Sequence, residues 1–239
     1  MSRRTAIDGA MRRRVYLFRH GAVDYVDSSG AWVNDTDAVA LNAEGRAQAF
    51  AMSDLFADVS VDKAVCSGLP RTIETGRAII GDRKLELEVV PGLREIRHGG
   101  GASVDYDVYA DIAFSHWRAP QQDATFLGGE RYRDFYARIA ATMDELLADR
   151  SWHNLAIFAH GGTNAAVLGW ATGIKLQAFG LIDQAMCCLN VLDFDVGDDG
   201  TVVRKVVRAM NITADDPVKH RRDASDMELL ARRLLRLAP

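Results

Sequence analysis

Short apolar runs alternate along the chain with longer segments in which apolar residues recur at helical spacing. The run at residues 15–18 is followed by Arg-His-Gly, and a later run at residues 155–159 is followed by His-Gly-Gly. Apolar runs of this length are typical of strands that are buried on both faces. Their alternation with helical segments predicts an α/β fold with a mostly parallel sheet.

Turn residues and periodicity place the individual elements. Asn42 is suited to cap a helix that begins at residue 43, and Pro70 is tolerated in the first turn of a helix. Aromatic and aliphatic residues between 132 and 146 fall at helical spacing, which predicts a helix that faces the core. The predicted strands are residues 15–19, 63–66, 85–90, 155–159, 187–194 and 202–210, and the predicted helices are residues 43–56, 70–80, 132–146 and 163–171 and a C-terminal helix.

The domain organisation follows from the segments outside this alternation. Residues 1–14 are basic and predict a flexible tail, whereas residues 15–217 predict one domain. Within it, residues 96–129 form a long connection rich in glycine and aromatic residues, which is typical of a functional insert over the site. Leucines among arginines in residues 218–239 predict an amphipathic helix that docks on its own domain or on a sister subunit, so a homodimer is left open.

Composition narrows the class of protein. A chain of 239 residues with 48% apolar residues can bury the core of one large domain. The net charge of −4 does not indicate a nucleic-acid-binding surface. No apolar run approaches the ~20 residues that a membrane-spanning helix needs. The three cysteines form neither a disulfide framework nor a metal-ligand spacing. We therefore expect a cytoplasmic protein with no metal site and no membrane or nucleic-acid partner.

Cations and imidazoles follow the predicted strands at one edge of the sheet. Open α/β sheets bind ligands at the carboxyl ends of their strands, where Arg19, His20 and His160 are expected. Arg71 lies just inside a helix that follows another strand, and helix N-termini attract anions. A neutral imidazole can attack phosphorus while a guanidinium holds phosphate oxygens. Taken singly, His20 is more simply interpreted as a histidine bonded to the backbone and Arg71 as a surface arginine. Together, the residues at this edge predict an anion site.

Six motifs then occur in the order of a known family. They are Leu-Phe-Arg-His-Gly at 17–21, Leu-Asn-Ala-Glu-Gly-Arg-Ala-Gln-Ala at 41–49, Ser-Gly-Leu-Pro-Arg-Thr-Ile-Glu-Thr at 67–75, Leu-Arg-Glu at 93–95, Gly-Gly-Glu at 128–130 and Phe-Ala-His-Gly-Gly at 158–162. With these motifs the chain resembles the histidine phosphatase superfamily, in its phosphoglycerate-mutase-like branch. The resemblance implies a three-layer α/β/α fold with a mostly parallel central sheet.

The resemblance also implies roles for the residues of the anion site. His20 would be the nucleophile that accepts the phosphoryl group. Arg19, Arg71 and His160 would hold the phosphoryl oxygens, with help from the amide of Gly161. Fixed cations stabilise the negative charge of a phosphoryl transition state, so these residue types suit that task. Neither a metal nor a cofactor is implied.

Glu95, in the Leu-Arg-Glu motif, matches the acid of the family. It would protonate the leaving oxygen and later activate water, and a solvated loop carboxylate is the alternative interpretation. The chain departs from the family at Val23, where a hydroxyl residue is usual, and at Val26, where mutases have an asparagine. The remaining histidines, at 98, 116, 153 and 220, are expected to be surface or structural residues, with His98 the exception nearest to Glu95.

These observations predict a metal-independent phosphomonoesterase that hydrolyses a small phosphorylated metabolite through a phosphohistidine intermediate. A phosphoglycerate mutase is one alternative, although the segment between Glu95 and His160 is shorter than in mutases. A non-catalytic module that binds phosphate or a partner is the other, although such a module would be expected to lose His20, Arg71 or His160.

Overall fold

A six-stranded sheet organises the part of the chain that the computed structural model describes, which is residues 7, 9–26, 33, 35–99, 108–219 and 223–235. Its strands are β1 (Ala10–Arg19), β2 (Lys63–Cys66), β3 (Leu87–Val89), β4 (Asn154–Ala159), β5 (Leu189–Gly197) and β6 (Val202–Ile212). The helices are α1 (Ala43–Phe56), α2 (Pro70–Ile80), α3 (Val108–Ala113), α4 (Tyr132–Ala148), α5 (Gly161–Thr172), α6 (Ala178–Leu181) and α7 (Asp226–Leu234). Short 3-10 helices cover Pro91–Leu93 and Lys175–Gln177.

The strand order brings three strand ends together. The order is β3-β2-β4-β1-β5-β6, in which the first four strands are parallel and β5 is antiparallel to both of its neighbours, which confirms the predicted mostly parallel sheet. Arg19 at the end of β1 pairs with Ala159 at the end of β4, and Cys66 at the end of β2 pairs with Phe158. The residues that follow these strands therefore meet at one edge of the sheet.

Helices cover both faces of the sheet because successive strand residues point to opposite sides. Leu17 packs into an apolar cluster with residues of α4 and α5, whereas Phe18 packs into a second cluster with residues of α1 and α2. The predicted stripe on α4 faces the first cluster, where Tyr132 and Phe135 are buried. The result is the expected α/β/α arrangement of three layers.

The prediction of a flexible tail over residues 1–14 is wrong for its last five residues. Strand β1 begins at Ala10, so these residues lie in the sheet beside β5. Arg12 lies opposite Asp195 and Arg14 opposite Asp193, with Nε to Oδ1 distances of 2.8 and 2.6 Å. Two of the basic residues that suggested a tail, Arg12 and Arg14, are therefore partners of buried carboxylates. Residues 1–6 and residue 8 lie outside the described residues.

The C-terminal helix α7 packs on the segment predicted as an insert. It begins with a capping box formed by Ser225 and Glu228, so it is shorter than the predicted 218–239 segment. A small apolar cluster, separate from the two sheet clusters, joins α7 to α3. Residues 100–107 of the predicted insert lie outside the described part of the chain. Within that part, no helix has the length and apolar character needed to cross a bilayer.

Candidate active site

A cavity of about 840 Å³ opens at the carboxyl edge of the parallel strands. Five of the six predicted site residues line it, namely Arg19, His20, Arg71, Glu95 and Gly161. The sixth, His160, is fully buried directly behind them, with its ring centroid 5.2 Å from that of His20. Strand β1 supplies the Arg-His pair, α2 supplies Arg71, and β4 leads into α5 through His160.

The contacts of His20 fix its tautomer. Its Nδ1 lies 2.8 Å from the carbonyl oxygen of Gly21. A carbonyl oxygen can only accept a hydrogen bond, so Nδ1 carries the proton and Nε2 keeps its lone pair. Burial, followed by the charges of Arg71 and Arg19, lowers the pKa of His20 well below its usual value. The neutral ring with a free Nε2 lone pair is the form that can act as a nucleophile.

Two guanidinium groups surround this imidazole with unused donors. Arg71 donates from Nη1 to the carbonyl oxygen of Thr36 at 2.8 Å, and Arg19 uses Nη1 to contact the Gln184 carbonyl oxygen and the carboxylate of Asp226. The Nε atoms of both arginines are buried and have no partner among the described residues. Buried donors of this kind are costly unless a ligand accepts from them, so they mark the place of an anion.

The start of α5 adds to this anion site. The helix begins at Gly161, and the amide groups of a helix N-terminus lack intrahelical partners and favour negative charge. A Cβ atom at Gly161 would lie 3.2 Å from Arg19 Nε, within the space that the guanidinium faces. The glycine therefore lets the start of the helix lie close against the guanidinium.

His160 is held by a chain of hydroxyl groups. The Thr72 hydroxyl donates to the Leu69 carbonyl oxygen at 2.8 Å, so at 3.0 Å it accepts from Ser67. Ser67 in turn accepts from His160 Nε2 at 2.8 Å. The proton of the neutral ring is thus on Nε2, and the buried Nδ1 has no partner in the described part of the chain.

Because of this tautomer, anion binding at His160 requires the uptake of a proton. A phosphate oxygen at Nδ1 can only accept, so His160 has to gain a proton when the anion binds there. Burial and the charge of Arg71 lower the pKa of His160 well below its usual value. A dianion close to the ring would act in the opposite direction and stabilise the imidazolium.

Glu95 lies at the same edge and is oriented by two backbone amides. Its Oε1 accepts from the Ile96 N–H and its Oε2 from the Gly162 N–H, both at 3.0 Å. Burial raises the pKa of this carboxyl, and the two hydrogen bonds offset part of that rise. A Cβ atom at Gly162 would lie 2.5 Å from Oε1, so only glycine leaves the carboxylate its place. A carboxyl with a raised pKa keeps its proton to a higher pH than an ordinary glutamate and can therefore act as a proton donor.

Two of the other histidines belong to the cavity. His98 lines it and lies 3.1 Å from the Thr36 hydroxyl through Nε2. His116 was expected to be a surface or structural residue, yet it also lines the cavity. Its Nδ1 lies 2.9 Å from the Tyr132 hydroxyl, and burial lowers its pKa to about 4. His220 lies outside the described residues.

Sequence reasoning missed the roles of Ser67, Gln184 and Asp226. Ser67 stands in a motif of the chain, but only its contact with His160 shows its function as an acceptor. Gln184 and Asp226 reach Arg19 from segments far along the chain, so no local pattern indicates them. Among the described residues, no group of three or more His, Cys, Asp or Glu side chains is arranged to hold a metal ion.

The sequence is similar to that of known proteins over most of its length. The sequence model of the histidine phosphatase superfamily (branch 1) matches residues 15–207. The chain is 27% identical over 209 residues to a probable 2-carboxy-D-arabinitol-1-phosphatase of Arabidopsis thaliana, a match that covers 86% of this chain but only 43% of the plant protein. It is 25% identical over 185 residues to the adenosylcobalamin/alpha-ribazole phosphatase of Escherichia coli, covering 76% of this chain and 90% of that protein.

Solved structures share the fold. A mycobacterial glucosyl-3-phosphoglycerate phosphatase superposes with a TM-score of 0.69 at 22% identity, covering 84% of this chain and 99% of that one. A structure described as mycobacterial hydrolase 2 superposes with a TM-score of 0.71 at 24% identity, covering 93% of this chain and 97% of that one.

Proposed function

Because the chain belongs to the histidine phosphatase superfamily, we propose that this phosphatase is a metal-independent phosphomonoesterase that works through a phosphohistidine at His20. Its substrate is a small phosphorylated metabolite, a class that includes the phosphate esters in the names of its relatives. A cytoplasmic location and a homodimer stay predictions.

The first half-reaction transfers the phosphoryl group to the enzyme. The phosphate accepts hydrogen bonds from the free Nε donors of Arg19 and Arg71 and from the protonated Nδ1 of His160. His20 Nε2 attacks phosphorus, and the bond from phosphorus to the ester oxygen breaks. Glu95 gives its proton to the leaving oxygen, so an alcohol departs. The Gly21 carbonyl oxygen accepts from Nδ1 of the ring, which becomes cationic as Nε2 is phosphorylated.

The second half-reaction returns the enzyme to its starting state. The Glu95 carboxylate accepts a proton from water, and the oxygen of that water attacks phosphorus. The bond between phosphorus and Nε2 breaks, inorganic phosphate leaves, and His20 is again a neutral imidazole. Glu95 holds its proton for the next cycle.

One observation supports this proposal above the others. The lone pair of a neutral, buried imidazole lies beside two buried guanidinium groups whose Nε donors have no partner in the described residues. A structural histidine needs no such donors. A module that only binds phosphate needs neither the lone pair of His20 nor the raised pKa of Glu95.

A screen of phosphorylated metabolites tests the proposal, with released inorganic phosphate as the readout. We expect the wild-type protein to release phosphate from monoesters and His20→Ala to release none. 3-Phosphoglycerate with catalytic bisphosphoglycerate belongs in the same screen. Efficient isomerisation without phosphate release would identify a mutase and contradict the proposal.

A further inference from the structure

The cavity extends well beyond the space that a phosphoryl group needs. Its volume of about 840 Å³ lies within the ~300–1,000 Å³ range of sites that enclose drug-sized ligands. Arg19, Arg71 and Glu95 form only a small part of its lining. The remaining space belongs to the same cavity, so it is available to the organic part of a phosphate ester.

Large apolar side chains form much of the remaining wall. Trp117 is 61% exposed, Phe114 47% and Leu181 62%, and all three line the cavity. Clusters of exposed apolar side chains of this size mark binding sites rather than ordinary surface. Further lining residues of the same kind are Phe126, Phe179, Met227 and Leu230.

Two of the aromatic rings are fixed in place. A Cβ atom at Gly180 would lie 2.8 Å from Trp117 Cε3, so the glycine allows the indole to lie directly on the backbone of α6. The His116 ring packs among Phe126 and Phe179, with centroid distances of 5.5 and 5.7 Å. Since its Nδ1 is bonded to Tyr132, its Nε2 is the atom left for a ligand.

The charges of the cavity disfavour a second anionic group. Outside the residues around the phosphate, carboxylates outnumber guanidinium groups among the described lining residues. The carboxylates are Asp37, Glu44, Asp183 and Glu228, and the guanidinium groups are Arg97 and Arg233. Substrates with a further carboxylate or phosphate would therefore meet net repulsion there.

We propose that this apolar wall is the subsite for the leaving alcohol, and that it selects phosphomonoesters of bulky, uncharged, aromatic alcohols. The proposal rests on the phosphatase function argued above. Phosphate esters of small polyols and of hydroxy acids should be the poorer substrates. Their polar groups would lose bound water against Trp117 and Phe114 without gaining hydrogen-bond partners.

The test compares primary alkyl phosphates, whose leaving groups differ in size and polarity but little in acidity. We expect kcat/KM to be at least about 10-fold higher for 2-phenylethyl phosphate than for glycerol 3-phosphate, as apolar pockets usually discriminate. Trp117→Ala should remove most of this preference. Phe50→Ala is the matched control, because Phe50 is an aromatic side chain 69% exposed on α1 and does not line the cavity.

Binding measured without turnover separates this proposal from the catalytic one. By calorimetry, 2-phenylethylphosphonate should bind at least about 10-fold more tightly than ethylphosphonate, and Trp117→Ala should abolish the difference. Equal affinities, or an equal loss for both ligands in Trp117→Ala, would overturn the subsite even if phosphate esters are hydrolysed. Absence of hydrolysis with the binding preference intact would overturn the phosphatase mechanism instead.

A second inference concerns the orientation of Arg19. Its Nη1 contacts both the Gln184 carbonyl oxygen and the Asp226 carboxylate. A Cβ built on Gly161 would lie 3.2 Å from Nε, 3.3 Å from Cζ and 3.6 Å from Nη2, so the start of α5 lies against the face of the guanidinium. Nη1 is therefore held, while the buried Nε has no partner among the described residues.

Asp226 is itself fixed by the fold of the C-terminal segment. It is the first residue of α7, and the capping box of Ser225 and Glu228 defines where that helix begins. Ala231 of α7 is fully buried against α3 together with Ile112. The carboxylate thus reaches Arg19 from the first turn of a helix that packs on α3.

We infer that Asp226 is a positioning residue, which turns Arg19 so that Nε and Nη2 form a bidentate contact with phosphate. The contact is made at Nη1, whereas the buried donor without a partner among the described residues is Nε, so the carboxylate does not occupy the donor left for the anion. In this account, the C-terminal helix completes the phosphate site.

Inorganic phosphate is the probe for this inference. Asp226→Ala should weaken phosphate binding in calorimetry by about 10-fold, and should raise KM for esters more than it lowers kcat. Asp226→Asn, which can still accept from Nη1, should restore part of the affinity. Asp223→Ala, which removes an exposed carboxylate nearby, is the control. Tighter phosphate binding in Asp226→Ala would show an inhibitory contact and overturn the inference, and so would unchanged binding.

Discussion

Replacement of Glu95 by glutamine should slow the departure of poor leaving groups much more than that of good ones. In the structure, two backbone amides donate to the two oxygens of this carboxyl at 3.0 Å. Glutamine can accept only one of these bonds and places its NH₂ group against the other N–H. A buried amide left without an acceptor costs ~1–3 kcal/mol of folding free energy, so we expect a folded variant with a lower Tm.

The catalytic loss should be larger than this stability loss. General acid catalysis contributes ~10²–10⁴-fold to a rate, and glutamine has no proton to give. For an alkyl phosphate we therefore expect kcat to fall by about that factor. For p-nitrophenyl phosphate the phenolate leaves without a proton, so the first half-reaction should be nearly unchanged. The second still needs Glu95 as a base, and a burst of p-nitrophenol should appear before slow turnover.

The role of Glu95 is tested by rapid-mixing measurements of that burst and by steady-state rates with the alkyl phosphate. Burial raises the pKa of Glu95, so the wild-type acid should remain protonated to a higher pH than an ordinary glutamate. The rate with the alkyl phosphate should fall as pH rises through this pKa, and Glu95→Gln should lack that fall. Equal losses for both leaving groups in the first half-reaction would refute the assignment of the proton to Glu95.

Three further predictions concern the support of the site, the pairing of the sheet and the independence of the reaction from metal ions. Ser67→Ala should leave the Nε2 proton of His160 without its acceptor, which we expect to lower stability by ~1–3 kcal/mol in urea unfolding and to raise the Ki of inorganic phosphate. Asp193→Asn should cost a similar ~1–3 kcal/mol because Arg14 and Arg208 donate to this buried carboxylate. Burial raises the pKa of Asp193, but those hydrogen bonds outweigh burial and lower the pKa overall. The contribution of this carboxylate to the free energy of unfolding is therefore present above its pKa in the unfolded chain, and it is lost as pH falls through its pKa in the folded protein. Phosphatase activity should survive excess EDTA, because guanidinium groups carry the charge of the transition state, and loss of activity that a divalent metal restores would contradict this.

Local patterns predicted the elements whose formation depends on near neighbours in sequence. Helix α1 and strand β2 begin and end where the sequence placed them, since Asn42 caps the helix through the Gly45 amide and the apolar run of β2 is short and clearly bounded. The start of β1 was missed because Arg12 and Arg14 are typical of a solvated tail. Only pairing with distant, buried aspartates explains them as strand residues.

The same distinction holds for the candidate site. His20 and His160 were placed at one edge of the sheet because strand ends in parallel sheets meet there, and the structure brings their rings together. Asp226 and His116 were not foreseen, because a helix at the end of the chain and a segment within the insert bring them to the cavity through tertiary packing. Their placement depends on contacts between segments far apart in sequence.

Trapping of the phosphoenzyme tests the central claim most directly. Wild-type protein should be mixed with a substrate that carries radioactive phosphate, quenched within the first turnover, and compared with His20→Ala. We predict one labelled phosphoryl group per chain, labile in acid and stable in base, on the wild-type protein and none on the variant. Label that persists in His20→Ala, or label that is stable in acid, would contradict a phosphohistidine at this position.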